Sequence, residues 1–342
     1  MKKTDQVKIG VLGVGHLGRW HTQQLQKIEN AHLVGVYDSN AERCREIADE
    51  FQTTPYPSFE SLLKDIEAIS IVTPTTTHFD YAKMAIEAGK HVFIEKPITE
   101  TVEQGNELIR LVKESGIKLQ VGHIERFNPA ILALEDILVN PVFIESHRLA
   151  NFNPRGTDVA VVLDLMIHDI DLILRFVKSP VKSIQASGGA IISDTEDIAN
   201  CRLEFENGCV ANVTASRISA RKMRKMRFFQ PNTYISVDFL EGFSEVYQLI
   251  DATDDDSKAG FGFSMGPMGP DGRQKEIRYH RLEKKDINPL NYELSLFIDC
   301  ILKDTTPAVT VEEAVRDLTV ASEILERINE HAQRVKNNWS LT

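Results

Sequence analysis

The sequence has few cysteines and no long apolar run. Its cysteines, Cys44, Cys201, Cys209 and Cys300, form no Cys-x-x-Cys pair and do not complete the ligand set of a zinc site. No apolar run approaches the roughly 20 residues that a membrane span needs. The segment MKKTDQ meets strand-like sequence at once, which leaves no room for the apolar core of a signal peptide. We therefore expect a reduced, cytoplasmic chain that holds no metal and does not insert into a membrane.

Basic residues are outnumbered by acidic ones. Lys and Arg total 39 against 50 Asp and Glu, so the formal net charge is -11. Because like charges repel, this balance argues against nucleic acid or an anionic membrane surface as the main partner. Hydrophobic residues make up 42% of the 342 residues, which is enough for a large core, and the length suggests two domains.

The first part of the chain alternates short apolar runs with longer helical patterns. The predicted strands are Val7–Leu12, Leu33–Tyr37, Ala68–Val72, His91–Ile94 and Lys118–Val121, and the predicted helices are Leu17–Ile28, Ala41–Phe51, Thr77–Ala88 and Val102–Ser115. Strands that alternate with helices of this length predict a parallel sheet with right-handed crossovers. Residues 1–123 are therefore predicted to form a doubly wound α/β domain.

Beyond residue 123 the regular alternation of predicted strands and helices ends. A long, mostly apolar helix is predicted over residues 160–177, and short strands then follow one another without helices between them. This order favours an open, mainly antiparallel sheet, so residues 124–342 are predicted to form an α+β domain for substrate binding and oligomerisation. The later segments are a predicted loop, Asp251–Gly272, and predicted helices near Pro289–Leu302 and Val311–Asn329.

A glycine-rich hexapeptide, Gly13-Val14-Gly15-His16-Leu17-Gly18, joins the first predicted strand to the first predicted helix. Gly13 permits a tight turn, Gly15 lets the backbone approach a pyrophosphate, and Gly18 allows close packing of helix and strand. The phosphates are expected at the helix N-terminus, where unpaired N–H groups and the helix dipole favour anions. The loop, His16 and Leu17 included, is therefore a predicted dinucleotide contact.

Asp38 ends the second predicted strand, 20 residues beyond Gly18. A carboxylate there accepts hydrogen bonds from an adenosine ribose and repels a 2′-phosphate, and Asp38-Ser39-Asn40 contains no Arg to hold that phosphate. NAD is therefore favoured over NADP. One alternative is a structural turn in which Asp38 caps a helix, and the other is FAD, for which no second flavin-type signature is present.

The predicted strand His91–Ile94 runs into Glu95-Lys96-Pro97. Ligands of open parallel sheets bind beyond the carboxyl ends of the strands, so this turn is expected to face the crevice. A lysine held there can donate a hydrogen bond to a substrate hydroxyl and stabilise a developing alkoxide. The alternative is a surface lysine at a strand end.

The predicted helix Leu163–Val177 is apolar on most faces, with Asp169 as an exception. Its other polar residues fall in a stripe about 60° wide, formed by Asp164, His168, Asp171 and Arg175. Asp164 and His168 are four residues apart and can touch. A carboxylate beside an imidazole raises its basicity and orients it, as a general base that removes a hydroxyl proton requires. The alternative is a solvated helix face with an ion pair.

Together with Thr73-Pro74 and His78, these motifs resemble the Gfo/Idh/MocA family of NAD(P)-dependent oxidoreductases. The resemblance implies NAD-linked oxidation or reduction of a sugar, cyclitol or sugar nucleotide. It assigns Lys96, Asp164 and His168 as the catalytic residues, and it places Thr73, Pro74, His78 and Glu95 on the nicotinamide side of the cofactor. Many members have Gly midway between the Asp and the His, where this chain has Met166.

A narrower resemblance involves residues 120–129 and Arg155-Gly156-Thr157-Asp158, which look like the branch of UDP-N-acetylglucosamine 3-dehydrogenases. It implies oxidation of the sugar 3-hydroxyl to a ketone, which an aminotransferase converts to an amine for a diamino-sugar lipid A. The branch resemblance then adds Arg126, Asn128 and Arg155 to the catalytic residues as substrate contacts. Arg126 and Arg155 would contact the diphosphate, because guanidinium groups match phosphate oxygens. Ordinary ion pairs are the alternative for the two arginines.

Two other functions stay open at this stage. One is a free-sugar or inositol dehydrogenase of the same family, and the other is a catalytically silent NAD-binding regulator. A homodimer or homotetramer through the open C-terminal sheet is expected. A basic segment fits a solvated sheet edge, and it could instead help to hold a sugar nucleotide or a neighbouring subunit; its residues are Arg217, Arg221, Lys222, Arg224, Lys225 and Arg227.

Overall fold

The computed structural model describes residues 6–153, 157, 159–251, 261–268, 273–284 and 287–339. They form two compact units. The first contains the described residues up to Phe127 together with Ile287–Thr319, and the second contains those of Asn128–Asp286 and Val320–Thr342. Within the described residues, no helix has both the length and the hydropathy that crossing a membrane requires.

The elements follow one another along the described chain as strands, α-helices and a few tighter or wider turns. The strands are β1 (Val7–Leu12), β2 (Ala31–Tyr37), β3 (Thr54–Pro55), β4 (Ala68–Ile71), β5 (His91–Glu95), β6 (Leu119–Gly122), β7 (Phe143–Leu149), β8 (Val181–Gly189), β9 (Ile198–Phe205), β10 (Val210–Ser216), β11 (Met223–Gln230), β12 (Thr233–Asp238), β13 (Phe243–Asp251), β14 (Phe261–Met268) and β15 (Arg273–Glu283). The α-helices are α1 (His16–Leu25), α2 (Ala41–Glu50), α3 (Phe59–Asp65), α4 (His78–Glu87), α5 (Val102–Ser115), α6 (Pro129–Leu132), α7 (Ile167–Val177), α8 (Pro289–Lys303) and α9 (Val311–Trp339). Thr75–Thr77 and Ile124–Phe127 form 3₁₀ turns, and Val162–Met166 form a π-helical turn.

The first unit contains a parallel sheet in the order β3-β2-β1-β4-β5-β6. Its central strands are mostly apolar and buried, and all four residues of β4, including Ser70, are buried, because helices cover both faces of such a sheet. The predicted doubly wound fold is therefore confirmed. The carboxyl ends of β1, β2, β4 and β5 meet at one edge of this sheet, which is where the glycine loop, Asp38, Thr73 and Lys96 follow in sequence.

Helix α8 belongs to the first unit, whereas the sequence prediction placed all of residues 124–342 in the second domain. Leu294, Phe297 and Ile298 are fully buried and join the core of the parallel sheet. The ring of Phe297 packs edge-to-face on Phe93 of β5, with centroids 5.8 Å apart. The apolar stripe of α8 was visible in the sequence, but a stripe does not specify which sheet it covers.

The second unit contains a sheet in the order β14-β15-β13-β12-β11-β7-β10-β9-β8. All neighbours are antiparallel except β7 and β10, which run parallel. The prediction of an open, mainly antiparallel sheet is therefore confirmed. One face packs on α7 and on the part of α9 that carries Ala321, Ile324 and Ile328.

The predicted loop Asp251–Gly272 contains a strand. Phe261–Met268 form β14, which pairs with β15 through a register shift between Ser264 and Gly266. The prediction was wrong there because glycines and Pro267 are typical of turns, although Phe261, Phe263 and Met265 alternate with small residues. The neighbouring strand β15 supplies the hydrogen-bonding partners that make the segment a strand. The rest of the predicted loop, apart from Asp251, lies outside the described residues.

Candidate active site

A cleft of about 600 Å³ opens at the carboxyl edge of the parallel sheet. The predicted cofactor residues supply much of its wall. Its lining comprises Leu12, Gly13, Gly15, Leu17, Asp38, Ser39, Val72, Thr73, Pro74, Thr77, Tyr81, Glu95 and Lys96. His16, which was also predicted as a contact, begins α1 at the mouth of the glycine loop and is exposed.

Glycine is needed at each of three positions in the loop for a different structural reason. Gly13 has φ +84°, and a Cβ there would lie 2.7 Å from the Val72 carbonyl oxygen. A Cβ at Gly18 would lie only 1.8 Å from the carbonyl oxygen of Gly13, so α1 can pack here only without a side chain. A Cβ at Gly15 would meet no atom within 4 Å, and Gly15 leaves the start of α1 without a side-chain cap. The open space at Gly15 and the unpaired N–H groups fit a pyrophosphate.

Asp38 closes the glycine loop. Its Oδ2 accepts a hydrogen bond from the Val14 N–H (2.8 Å) and its Oδ1 accepts one from the Asn40 N–H (2.8 Å). Helix α2 is capped by Asn40, which accepts from the N–H groups of Glu42 and Arg43, so the helix-cap alternative for Asp38 does not describe its role. Because each carboxylate oxygen has a further lone pair, Asp38 can also accept hydrogen bonds from a ribose in the cleft.

His78 connects two loops of the cleft. Its imidazole is buried, with Nδ1 2.8 Å from the Pro97 carbonyl oxygen and Nε2 2.9 Å from the Thr73 carbonyl oxygen. Burial lowers the pKa of His78, against the opposing effect of these carbonyls. Thr73 and Pro74 line the cleft, whereas the His78 imidazole links the Thr73 and Pro97 backbones.

Glu95 is almost fully buried beneath Lys96. Its Oε1 lies 3.1 Å from Nε2 of His21, whose Nδ1 lies 2.9 Å from the Ser70 hydroxyl, and its Oε2 accepts a hydrogen bond from the Lys96 N–H (3.3 Å). Burial by itself raises the pKa of Glu95, but the contacts with His21 and Lys96 outweigh it and hold that pKa below its ordinary value. An anionic Glu95 thus supports the lysine that lines the cleft. His21 and Ser70 were missed because each looks like an isolated core residue in the sequence.

In the second unit, Asp164 and His168 lie where a π-helical turn passes into α7. Asp164 is within the turn Val162–Met166 and His168 is the second residue of α7, and both side chains are half-buried. The prediction of one regular α-helix from Leu163 was therefore wrong for the first turn, which is wider. π-helical turns inside helices occur frequently at functional sites.

The rest of the polar stripe on α7 does not share one environment. Asp171 is fully buried, whereas Arg175 is exposed. Asp169, outside the stripe, accepts hydrogen bonds from Nε of Arg148 (2.6 Å) and from the Ser146 hydroxyl (2.8 Å), all in the interior. This buried ion pair holds α7 against β7. Sequence analysis did not find it, although Ser146 and Arg148 lie two residues apart and therefore on the same face of β7.

The predicted diphosphate contacts have structural partners. The Arg126 side chain is 1% exposed and donates to Glu313 (3.1 Å) and to the Ala308 carbonyl (3.3 Å), so the ion-pair alternative is the one observed. Asn128 caps α6 and donates to the Phe239 carbonyl (3.1 Å). The substrate roles of Arg126 and Asn128 stay predictions, and Arg155 lies outside the described residues.

All four cysteines are buried thiols. Burial raises the pKa of Cys201 to about 12 and that of Cys209 to about 11. Thiols with such pKa values stay protonated at neutral pH, so neither is an activated nucleophile.

The parallel sheet, the open glycine loop and the acid at the end of β2 define an NAD-binding oxidoreductase. Residues 7–123 match the model of an oxidoreductase family with an NAD-binding Rossmann fold, and residues 144–235 match the Gfo/Idh/MocA C-terminal domain. The chain belongs to the Gfo/Idh/MocA family. Its cofactor is NAD, which fits the space at Gly15 and the acceptor at Asp38.

Named relatives include a nucleotide-sugar dehydrogenase and inositol dehydrogenases. The chain is 43% identical over 242 residues to a UDP-N-acetylglucosamine 3-dehydrogenase of Acidithiobacillus ferrooxidans. The aligned region covers 70% of this chain and 77% of that protein. A solved structure of that dehydrogenase, GnnA, superposes with a TM-score of 0.84 at 36% identity and covers 94% of this chain and 97% of its own. The scyllo-inositol 2-dehydrogenase (NAD(+)) of Bacillus subtilis is 30% identical over 63% of this chain and 68% of its own length.

Proposed function

We propose that the protein oxidises the C3 hydroxyl of UDP-N-acetylglucosamine to the 3-keto sugar nucleotide. The observation that carries this proposal is the likeness to the GnnA structure over 94% of this chain and 97% of that one, at 36% identity and a TM-score of 0.84. NAD supplies the hydride acceptor when it is bound. The keto product has the chemistry that an aminotransferase consumes, in keeping with a role in making a diamino sugar for lipid A.

In this proposal, three residues of the chain act on the substrate hydroxyl. His168 accepts the hydroxyl proton at an imidazole nitrogen, and Asp164 orients the ring and stabilises its protonated form. Lys96 donates a hydrogen bond to the same oxygen and stabilises its developing negative charge. Supporting observations are the position of Lys96 in the cofactor cleft above anionic Glu95, and the half-buried Asp164 and His168 at the π-helical turn.

A substrate panel tests this function. With NAD, the protein is incubated with UDP-N-acetylglucosamine, free N-acetylglucosamine or myo-inositol, and NADH formation is measured by absorbance. We expect kcat/KM to be about 100-fold or more higher for the nucleotide sugar, since loss of charge-assisted hydrogen bonds to phosphates costs about 1.5–3 kcal/mol each.

The same panel decides between the alternatives. A higher kcat/KM with myo-inositol would favour the inositol dehydrogenase function, which the similarity to the Bacillus subtilis enzyme supports. Tight NAD binding with no turnover of any polyol or nucleotide sugar would favour a silent regulator. Either result would overturn the proposed substrate.

We also propose that the protein forms a homodimer or homotetramer through the open face of the second unit's sheet. Five half-buried rings form a ladder across that face with neighbouring centroids 5.1–5.7 Å apart: Phe143, Phe229, Tyr234, Tyr247 and Tyr279. A continuous aromatic surface of this kind favours burial against a second copy. Light scattering is expected to give a multiple of the chain's 38.5 kDa, and a monomer at micromolar concentration would contradict it. A cytoplasmic location, with neither nucleic acid nor membrane as a partner, completes this proposal.

A further inference from the structure

The basic segment that follows β10 divides between two faces of the sheet. On β11, Lys225 pairs with Asp238 (3.0 Å) and Arg227 pairs with Glu145 (3.3 Å). Because side chains alternate along a strand, Arg224 points to the opposite face, the one covered by α7. The segment is therefore only in part the solvated sheet edge that its sequence suggested.

Arg224 and Lys222 line a cavity that also contains Asp164. This cavity has a volume of about 260 Å³ and lies within the second unit. Since pockets that bury a whole drug-sized ligand measure about 300–1,000 Å³, it has room for only a part of a larger ligand. Its polar wall consists of Asn151, Asn153, Asp164, Arg217, Lys222 and Arg224.

The positively charged side chains of this cavity differ in their exposure. Arg217 is almost fully buried, donates to the Glu196 carbonyl (3.2 Å) and has its Nε 3.8 Å from Oδ1 of Asp197, so it holds the wall in place. Lys222 is exposed and Arg224 is half-buried. Lys222 and Arg224 are therefore the more exposed cations of the cavity wall, and a ligand that enters the cavity can reach them.

We propose that this cavity binds the phosphate groups of the nucleotide-sugar substrate through Lys222 and Arg224. The inference rests on the proposed function and gives it a phosphate subsite beside Asp164. A guanidinium fork and an ammonium group are the donors that phosphate oxygens prefer. They also offset the repulsion between the phosphates and the Asp164 carboxylate, which shares the cavity. Arg126, the sequence-based candidate for this role, is buried in another ion pair.

The test measures binding of UDP and of uridine to the full-length protein by calorimetry, and KM for UDP-N-acetylglucosamine by NADH formation. The variants are Lys222→Gln, Arg224→Gln, and Arg224→Lys, which keeps the charge. Arg221→Gln is the matched control, because Arg221 is an exposed neighbour that does not line the cavity. Melting temperatures identify any variant that does not fold. Because Lys222 is exposed, Lys222→Gln should fold and can test the subsite even if Arg224→Gln unfolds.

We expect the Kd for UDP and the KM for the nucleotide sugar to rise about 10- to 100-fold for each charge removed. Binding of uridine and of NAD stays at the wild-type level, Arg221→Gln has no effect, and Arg224→Lys gives a smaller rise. UDP affinity within twofold of wild type in both Gln variants would overturn the phosphate subsite, as would a wild-type protein that binds no UDP. Turnover of the nucleotide sugar with unchanged KM in the variants would leave the proposed function intact. UDP binding that depends on Lys222 and Arg224, without turnover, would support the subsite and contradict the proposed function.

Discussion

The two units position their functional groups by different means. In the first unit the backbone defines the cofactor cleft: Gly13 turns the chain, Gly18 lets α1 approach, and Gly15 leaves space at an uncapped helix start. In the second unit, side chains and an irregular helix define the surroundings of Asp164 and His168. A π-helical turn carries Asp164, and the buried Arg148–Asp169 pair fixes the helix that follows.

This difference explains which parts could be read from the sequence. Backbone-defined sites have a residue signature, because only glycine fits a position such as Gly18 and only a strand-helix junction places it there. Sites built from side-chain contacts have no such signature, since the partners are distant in the sequence.

Replacement of His168 by Asn should remove turnover and leave the cofactor cleft intact. We expect kcat to fall about 10²–10⁴-fold, the usual contribution of a general base. NAD affinity should be unchanged, because the described residues that line the cleft all belong to the first unit. Steady-state kinetics and NAD titration measure the two effects. Turnover within about threefold of wild type would remove the general-base assignment.

Replacement of Arg148 by Met should destabilise the second unit. It leaves the buried Asp169 carboxylate without its cation, and breaking a buried pair costs about 3–5 kcal/mol. Denaturant unfolding measures the loss. The exposed pair of Arg327 with Glu323 is the matched control, and Arg327→Met should cost less than about 1 kcal/mol. Equal losses in the two variants would contradict the structural role given to Arg148.

The prediction from sequence succeeded where one residue type is physically required. Gly13, Gly15, Asp38 and Lys96 line the cleft at the strand ends, and their functional roles stay predictions. Sequence analysis could not identify partners that lie far away along the chain. Arg126 has the chemistry of a phosphate ligand, but Glu313, 187 residues later in the chain, pairs with it. Helix α8 likewise shows an apolar stripe but not the sheet that it covers.

Replacement by alanine should lower stability at Gly18 and NAD affinity at Gly15. Gly18→Ala places a Cβ against the Gly13 carbonyl, and such overpacking costs about 1–3 kcal/mol or more of folding free energy. Gly15→Ala meets no protein atom, so its melting temperature should stay near wild type while the Kd for NAD rises about tenfold, since its Cβ occupies the pyrophosphate space. Thermal unfolding and NAD titration are the measurements. Wild-type NAD affinity in Gly15→Ala would contradict the position assigned to the phosphates.

His78 should make the first unit sensitive to mild acid. Burial lowers its pKa in the folded protein, so the unfolded chain binds a proton more readily. This contribution to stability is fully present above about pH 6.5, the ordinary histidine pKa, and is lost as the pH falls through the lower folded pKa. Urea unfolding between pH 7.5 and pH 5 should show a smaller decline in His78→Gln than in wild type. Parallel declines would show that this imidazole is not the titrating group.

Isotope transfer can show whether the protein oxidises a nucleotide sugar at C3. The protein is incubated with NAD and UDP-N-acetylglucosamine that carries deuterium at C3, and the NADH formed is analysed by mass spectrometry. We expect NADH that contains one deuterium. If hydride transfer limits turnover, the initial rate is also lower than with the unlabelled sugar. Formation of unlabelled NADH would show oxidation at another carbon, and no NADH at all would contradict the claim outright.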